Sequence, residues 1–191
     1  MNRFSIIGTG RAGGSLLRAL EDVGWSLVRS YQRGDAVADA AQGVDVCFIA
    51  TPDATIREVA EAISPGAALI VHLSGVTPIG VLDCHQRFGG LHPLVALPDE
   101  ERGSRALRDA WFGIGSPRGD ALLEQIADDL SGKWFSLDDD RRDLYHATAV
   151  VASNHVVALL AQVERLAENL GVPSEPFVDL ALGSVLSLIH I

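Results

Sequence analysis

Residues 4–13, FSIIGTGRAG, place a short apolar run directly before Gly8, Gly10 and Gly13, which have the spacing G-x-G-x-x-G. Residues 15–23 then carry leucine and valine at helical spacing, so the glycines are predicted to lie on a turn from a strand to a helix. In such a turn Gly8 allows the tight bend, Gly10 lets backbone N–H groups approach a pyrophosphate, and Gly13 lets the helix pack on the strand. The pattern predicts a dinucleotide-binding turn, against the alternative of a glycine-rich turn without a ligand. The predicted phosphate-binding residues are Gly8, Thr9, Gly10, Arg11, Ala12 and Gly13.

The end of the predicted second strand, residues 25–31, indicates which nucleotide is bound. An NAD site places Asp or Glu about 20 residues after the glycines, where the carboxylate bonds the ribose 2′-hydroxyl. Here Ser30 and Arg33 occupy that end, and Asp35 comes late. Because a hydroxyl and a guanidinium suit a 2′-phosphate, the sequence favours NADP, with NAD as the other cofactor considered. The alternative role for Arg33 is a solvated loop cation.

Two further apolar runs, residues 44–50 (VDVCFIA) and 67–73, predict strands that are buried on both faces. The first run ends in Thr51, Pro52 and Asp53, and the second opens into Ser74. Ligands of open parallel sheets bind outside the carboxyl ends of the strands. Both segments are therefore predicted to face the nucleotide. His72 is predicted to pack beside the sheet.

Strands and helices alternate as far as residue 137, which predicts a doubly wound, mostly parallel α/β sheet over residues 1–137. The pattern then changes, because residues 139–170 contain neither Gly nor Pro and are followed by Gly171 and Pro173. An all-α domain is therefore predicted over residues 138–191. A further apolar helix is predicted from residue 176, and the helical domain is predicted to be incomplete because the chain ends within that apolar run.

The long predicted helix is apolar nearly all round between residues 147 and 160, so it should be buried in a second domain or in a homodimer interface. Ser153, Asn154 and His155 interrupt the apolar sequence, which argues against a membrane span. At helical spacing His146, Ser153 and Asn154 form a polar patch on this helix. Such groups need hydrogen-bond partners when buried, which a substrate or the other domain would supply.

Composition excludes several classes of function. The net charge is −10 and there is no run of Lys or Arg, which argues against a nucleic-acid or anionic-membrane surface and favours a small-molecule ligand. Cys47 and Cys84, the second near the end of a short predicted helix before residue 88, are predicted to be buried free thiols. No metal site is predicted. A charged leader before the first apolar run is missing, so a cytoplasmic location is expected.

The segments GTGRAGGSL, CFIATPD, VHLSG, LHPL and LYHATAVVASNHVVALL occur here in the order typical of a bacterial family of Rossmann-like oxidoreductases that carry a helical domain of uncharacterised function. The resemblance covers residues 4–186. The chain is also distantly similar to pyrroline-5-carboxylate reductase, prephenate dehydrogenase and the 6-phosphogluconate dehydrogenase group. In these relatives a nucleotide-binding domain precedes a helical domain that dimerises.

The resemblance implies roles for several residues. In prephenate dehydrogenases the His of a similar His-Pro segment is the catalytic base and a Ser after the preceding strand orients the substrate, which implies these roles for His92 and Ser74. In the 6-phosphogluconate dehydrogenase group an Asn on the long helix binds substrate, and Asn154 matches it. The Lys that acts in acid/base catalysis one turn earlier in that group is replaced here by Val150. This chain therefore has no residue at that position for the acid/base role of the Lys.

These observations predict an NADP-dependent oxidoreductase that moves hydride between nicotinamide and a small carbonyl, imine or hydroxy-acid substrate. His92 is the first candidate for the accompanying proton transfer and His146 the second, because an imidazole exchanges protons near neutral pH. Ser74 and Asn154 would orient the reacting group. The alternative is a non-catalytic sensor or scaffold that binds NAD(P).

Overall fold

Seven strands form one sheet in the order β2–β1–β3–β4–β5–β6–β7. The computed structural model of the chain describes residues 1–188. The strands are β1 (Arg3–Ile7), β2 (Ser26–Tyr31), β3 (Val46–Ile49), β4 (Leu69–His72), β5 (Phe88–Pro93), β6 (Trp111–Gly115) and β7 (Lys133–Ser136). Strands β2, β1, β3, β4 and β5 are mutually parallel, whereas β6 runs antiparallel to β5 and parallel to β7. The sheet is mostly parallel, as the sequence predicts.

Both faces of this sheet are covered. The helices of this unit are α1 (Arg11–Asp22), α2 (Ile56–Ala62), α3 (Glu100–Ala106) and α4 (Ala121–Asp129). Along β1, Phe4 and Ile6 join the core that contains α1 and α4, and Ile7 joins the core that contains α2. Successive residues of a strand point to opposite faces, so one short apolar strand serves two cores. The doubly wound α/β fold is confirmed.

The chain reverses its course around β1. After β1 it forms α1 and pairs β2 on one side of β1, and it then crosses to pair β3 on the other side. In an open α/β sheet this change of direction leaves a crevice at the carboxyl ends of the two central strands. Residues that follow Ile7 and Ile49 therefore lie at the edge where such sheets bind ligands.

The segment between β4 and β5 differs from the sequence prediction. It contains a 3₁₀ turn at Ile79–Leu82 rather than a helix, and Cys84 follows that turn on the surface. The predicted burial of Cys84 is therefore wrong, because no helix turns its side chain inward. Cys47 on β3 is buried as predicted, and burial raises the pKa of its thiol to about 11. Both cysteines are free.

Helices make up the second compact unit, which begins at His146. The helical elements from residue 142 onward are α5 (Arg142–Val150), a π turn (Val151–His155), α6 (Val156–Leu170) and α7 (Glu175–Leu188). The first three form one helical segment with a preceding 3₁₀ turn, Asp139–Leu170. It ends at Gly171, whose φ of 70° no other residue type adopts as easily. Of the helix predicted over residues 176–191, the last three residues lie outside the described part of the chain.

The first unit extends to Tyr145, eight residues beyond the predicted boundary at residue 137. Asp139 accepts hydrogen bonds from the backbone N–H groups of Ile79 and Gly80, at 2.8 and 3.2 Å. Arg142 and Tyr145 also bond to residues of the sheet unit. The start of the helical segment is therefore part of the first unit, which the change in sequence pattern does not reveal.

Apolar side chains of the helical unit are largely uncovered. Within the described residues one helix, Asp139–Leu170, is long and apolar enough to cross a membrane by length and composition, and none of its most apolar 18-residue window is buried. On α6 and α7, Val157, Leu159 and Leu180 each expose more than 60% of their surface. Exposed apolar surface of this extent marks an interaction surface.

Candidate functional site

A cleft of about 680 Å³ opens beside the glycine-rich turn, at the carboxyl ends of β1 and β3. Its walls come from the turn after β1, the loop after β2, the loop after β3 and one side of α2. The residues of the sequence-predicted nucleotide site that line it are Gly8, Thr9, Gly10, Arg33, Thr51 and Pro52. The cleft therefore lies at the crevice between β1 and β3 where the chain changes direction.

The three glycines of the turn have different reasons for lacking a side chain. Gly8 has φ of 90°, and a Cβ there would lie 2.8 Å from the Ala50 carbonyl oxygen. A Cβ on Gly13 would overlap the Gly8 carbonyl oxygen. Packing within the protein thus accounts for both. A Cβ on Gly10 would meet no protein atom within 4 Å, and its φ of −66° suits any residue. Protein packing therefore does not require glycine at this position, and the absent side chain leaves the backbone open to a ligand.

The N-terminus of α1 presents backbone N–H groups beside Gly10. Gly10 is the N-cap residue, no side chain caps the helix, and no acidic residue lies in its first turn. The first helical hydrogen bond runs from the Gly14 N–H to the Gly10 carbonyl, at 2.7 Å. The N–H groups of Arg11, Ala12 and Gly13 precede it, where an α-helix has no internal acceptors for them. This arrangement favours an anion.

The loop after β2 bends back on the glycine turn. The Gln32 side-chain amide donates a hydrogen bond to the Thr9 hydroxyl at 2.5 Å, and the Gln32 backbone N–H donates to the Asp35 carboxylate at 2.7 Å. Arg33, which follows Gln32 in the sequence, lines the wall of the cleft and is exposed. Ser30 instead lines a separate cavity of about 560 Å³ together with Arg29 and Asp39. The structure therefore brings Arg33 to the cleft but not Ser30.

The segment after β3 contributes one buried hydroxyl. The Thr51 Oγ1 is inaccessible to solvent and has no hydrogen-bond partner among the described residues. A buried hydroxyl without a partner costs about 1–3 kcal/mol, so a ligand that bonds it would gain affinity. Pro52 also lines the cleft, whereas Asp53 is exposed at the start of a 3₁₀ turn and does not line it.

A second polar group lies at the carboxyl end of β5. The Nδ1 of His92 is 2.5 Å from the Tyr145 hydroxyl, and the two rings pack edge to face with centroids 5.4 Å apart. A Cβ on Gly75 would lie 2.8 Å from His92 Nε2, so the glycine backbone closes over the imidazole. His92 is half-buried. Because β4 and β5 are parallel, His92 and the residues after His72 share one edge of the sheet.

The turn after β4 uses the Ser74 side chain for its own structure. The Ser74 hydroxyl oxygen accepts hydrogen bonds from the backbone N–H groups of Val76 and Thr77, at 3.3 and 2.9 Å, and also lies 2.9 Å from Thr77 Oγ1. These bonds hold the turn that places Gly75 against His92. The structure thus brings Ser74 and His92 into the same region, with the Ser74 hydroxyl already engaged.

Arg142 is a buried cation beside this region, with 1% of its surface exposed. Its Nε donates to Asp139 at 2.7 Å and one terminal nitrogen donates to the Ser74 carbonyl at 3.3 Å. A Cβ on Gly90 or Gly115 would lie within 3 Å of the other terminal nitrogen, which has no hydrogen-bond partner among the described residues. Because an unpaired buried charge is costly, the Asp139 carboxylate stabilises this arrangement. Hydrogen bonds to Ile79, Gly80 and Arg142 hold the pKa of Asp139 below its usual range although burial opposes this.

His72 is fully buried under the same cluster. Its Nδ1 accepts a hydrogen bond from the Ser74 backbone N–H at 3.2 Å. Burial first, and then the nearby Arg142 guanidinium, lower the pKa of His72 to about 4, although Asp139 and the Pro78 backbone act in the opposite direction. The imidazole is therefore neutral at neutral pH and packs beside the sheet.

His146 and Asn154 belong to the second unit and are exposed in it. Asn154 lies in the π turn, next to Ser153, whose hydroxyl donates to the Ala149 carbonyl at 2.7 Å. A π turn holds more residues than an α turn. Residues before and after it therefore no longer lie on the same face of the helix, as they would at regular helical spacing. The predicted alignment of His146 with Ser153 therefore does not persist through this segment. π turns are frequent at functional sites.

Sequence reasoning missed Tyr145, Arg142 and Asp139. Arg142 and Tyr145 are three residues apart, so their side chains lie on one side of the first turns of α5. The sequence alone indicates only a solvated helix terminus there. On sequence grounds alone the acidic run at residues 138–140 is favourable with the helix dipole and indicates no long-range partner. A long-range contact with β5 decides their roles, and no local pattern indicates it.

His72 makes stability depend on pH. Its pKa is about 4 in the folded protein but near 6.5 when exposed, so the unfolded chain binds more protons between these values. Stability should therefore fall as the pH falls from about 6.5 to about 4, by up to roughly 3 kcal/mol from this residue. The variant His72→Asn keeps an acceptor for the Ser74 N–H. Urea denaturation at several pH values should show a flatter profile for His72→Asn, and parallel profiles for the two proteins would contradict this assignment.

One family model and several solved structures match this chain. Residues 110–189 match the family described as a domain of unknown function, DUF2520. No curated protein sequence matches the chain significantly. Solved structures match nearly its whole length. A structure provisionally described as an NADP oxidoreductase from Bacteroides fragilis has a TM-score of 0.81 and 18% identity, and the match covers 100% of this chain and 81% of that one.

Two other solved structures are of enzymes that the sequence motifs of this chain resemble. Pyrroline carboxylate reductase from Plasmodium falciparum, solved with NADP, has a TM-score of 0.74 and 13% identity over 99% of this chain and 78% of that one. Prephenate dehydrogenase from A. aeolicus, solved with hydroxyphenyl propionate and NAD+, has a TM-score of 0.64 and 18% identity over 75% and 62%. Residues 110–189 therefore match the DUF2520 family, and the chain has the fold of Rossmann-like oxidoreductases with a helical C-terminal part, as its motifs predict.

Proposed function

We propose that this chain is an NADP-dependent oxidoreductase that transfers hydride between nicotinamide and a small carbonyl, imine or hydroxy-acid substrate. The observation that carries the proposal is Gly10, which lines the cleft and whose missing side chain would meet no protein atom. The solved structures with the same fold include enzymes with NADP and with NAD+ bound. The similarity in fold supports a nucleotide at this edge of the sheet.

The residues around the cleft suit a dinucleotide phosphate. Backbone N–H groups of Arg11, Ala12 and Gly13 would hold the pyrophosphate, and the buried Thr51 hydroxyl would gain a partner. Arg33 on the wall of the cleft would meet the 2′-phosphate, which favours NADP over NAD. The Asp35 carboxylate already accepts the Gln32 N–H, so it is less available to a ribose hydroxyl. When bound, NADP supplies a hydride donor or acceptor at nicotinamide C4.

His92 is the residue that we assign to proton transfer. Reduction of a carbonyl or imine requires one proton with each hydride, and the reverse reaction releases one. His92 is half-buried, lies at the same sheet edge as the cleft and is held by Tyr145. Ser74 supports it through the turn that places Gly75 on the imidazole. We retain His146 as the second candidate for proton transfer and Asn154 as a candidate substrate ligand.

The cleft is tested by the variant Gly10→Ala. A methyl group at this position meets nothing within 4 Å in the protein, so the melting temperature should not fall. It would obstruct a pyrophosphate, so NADPH affinity should fall by at least about tenfold, which is about 1.4 kcal/mol. Titration calorimetry with NADPH and NADH measures this. Gly183→Ala, where a Cβ also meets nothing, is the matched control and should bind as the natural protein does. Equal NADPH affinity in both variants would contradict the proposal.

The proton-transfer role is tested by His92→Ala. NADPH consumption, followed by absorbance with a panel of ketones, imines and hydroxy acids, should fall by about two orders of magnitude or more. NADPH affinity should be nearly unchanged, because His92 does not line the cleft. Unchanged turnover would remove His92 from the mechanism. NADPH binding without turnover of any substrate by the natural protein would favour the alternative function, a non-catalytic sensor or scaffold.

We also propose that two copies associate through the helical unit. Val157, Leu159 and Leu180 each expose more than 60% of their surface, and a second copy would cover such residues without a membrane. Sedimentation equilibrium should give about twice the chain mass of 20.3 kDa. Val157→Glu should shift the equilibrium toward the monomer, because it places a charge in the interface. A monomeric natural protein would contradict the homodimer.

A cytoplasmic location remains our prediction for such a protein.

A further inference from the structure

We propose that Tyr145 is a positioning residue that fixes the tautomer and the orientation of His92. The proposal rests on the proposed function, because it assigns the proton-exchanging atom of His92 in that reaction. Tyr145 donates its hydroxyl hydrogen to His92 Nδ1, so that the ring proton resides on Nε2. The Nε2 atom then exchanges a proton with the substrate, while Nδ1 remains bonded to the phenol.

The contact between the two side chains is short and geometrically constrained. The Tyr145 hydroxyl is 2.5 Å from His92 Nδ1, and the rings pack at 88° with centroids 5.4 Å apart. Glycine makes room for the imidazole, because a Cβ on Gly75 would lie 2.8 Å from His92 Nε2. On the side of the phenol, a Cβ on Gly113 would lie 3.4 Å from the Tyr145 hydroxyl, an ordinary contact distance. The imidazole therefore cannot turn over without losing its partner.

The direction of the hydrogen bond is part of the proposal: a neutral phenol can donate to Nδ1 or accept from Nδ1–H, and we assign the donor role to Tyr145. Burial raises the pKa of Tyr145 to about 12, and the neighbouring Arg142 opposes that rise. The phenol is thus neutral at neutral pH and has one proton to donate. A neutral imidazole has one donor and one acceptor nitrogen, and the nitrogen that accepts from a neighbour is the one without a proton. If His92 takes up a second proton, the same phenol oxygen can accept from Nδ1–H, so Tyr145 serves both charge states.

The position of Tyr145 depends on the start of α5. Arg142 lies one turn before Tyr145 and is bonded to Asp139 and to the Ser74 carbonyl. Asp139 is bonded in turn to the backbone of the turn at Ile79–Leu82. On its other side the Tyr145 ring packs edge to face on Phe135 of β7, with centroids 5.8 Å apart. The hydroxyl is therefore held by contacts on both sides of the ring.

Other charged groups act on the pair. Arg142 and Asp139 lie at the start of α5, and His72 on β4 interacts electrostatically with His92, Arg142 and Asp139. Because the pKa of His72 is about 4, it is neutral above pH 6 and adds no charge there. Arg142 and Asp139 carry opposite charges throughout this range.

The test is Tyr145→Phe, which keeps the ring packing and removes the hydroxyl. The imidazole nitrogens of His92 are observed by ¹H–¹⁵N NMR in the protein without nucleotide. In the natural protein Nε2 should carry the proton, and in Tyr145→Phe the two nitrogen shifts should move toward each other as the tautomers mix. Tyr31→Phe is the matched control, because Tyr31 is the other tyrosine and its hydroxyl lies 3.0 Å from Asp39. It should leave the His92 signals unchanged.

Kinetics supply a second measurement. With any substrate that the natural protein turns over, Tyr145→Phe should lower kcat about tenfold, less than loss of the base itself, with nucleotide affinity unchanged. Identical His92 tautomers in Tyr145→Phe and the natural protein would overturn the positioning role, even if the protein is an active reductase. A shifted tautomer in a protein that turns over no substrate would support the positioning contact and overturn the proposed function instead.

Discussion

The contact between the Gly13 position of α1 and the Gly8 carbonyl is the constraint on which the cleft beside the glycine-rich turn depends. No side chain fits between them, and a Cβ on Gly8 would also press on the Ala50 carbonyl. The helix therefore begins directly against the ends of β1 and β3. No side chain caps the first N–H groups of the helix, and the macrodipole favours an anion at this end. The cleft follows from backbone packing, and the side chains of Thr51 and Arg33 add to it.

A similar use of glycine builds the second polar region. At the β5–β6 pair Gly90 lies opposite Gly115 and His92 lies opposite Gly113. The bare backbone of this pair leaves the volume into which Arg142 and Tyr145 insert from the start of α5. A buried guanidinium is tolerated there because Asp139 and the Ser74 carbonyl bond it. The same insertion brings the Tyr145 phenol to His92 and excludes His72 from solvent.

The helical unit presents a different physical situation. Its apolar side chains have few partners in the described chain, and the polar residues Ser153, Asn154 and His155 fall in a π turn within the apolar segment. Burial of apolar surface is the main source of stability, so such a unit gains most from a further covering surface. A second copy of the chain would supply that surface by symmetry.

The sequence by itself determined the α/β fold, the glycine turn and the helical segment from residue 139 to residue 170, because these depend on local periodicity and on residues that only one conformation suits. It also predicted several residues that line the cleft, such as Gly10, Arg33 and Thr51, whereas the role of His92 stays a prediction. Only the tertiary structure decided that Ser30 lines another cavity, that Cys84 is exposed, and that Arg142 and Tyr145 belong to the sheet unit. Each of these depends on a contact between residues far apart in the chain, such as the 53 positions that separate His92 from Tyr145. Packing across the sheet selects such contacts, and no local pattern of residues encodes them.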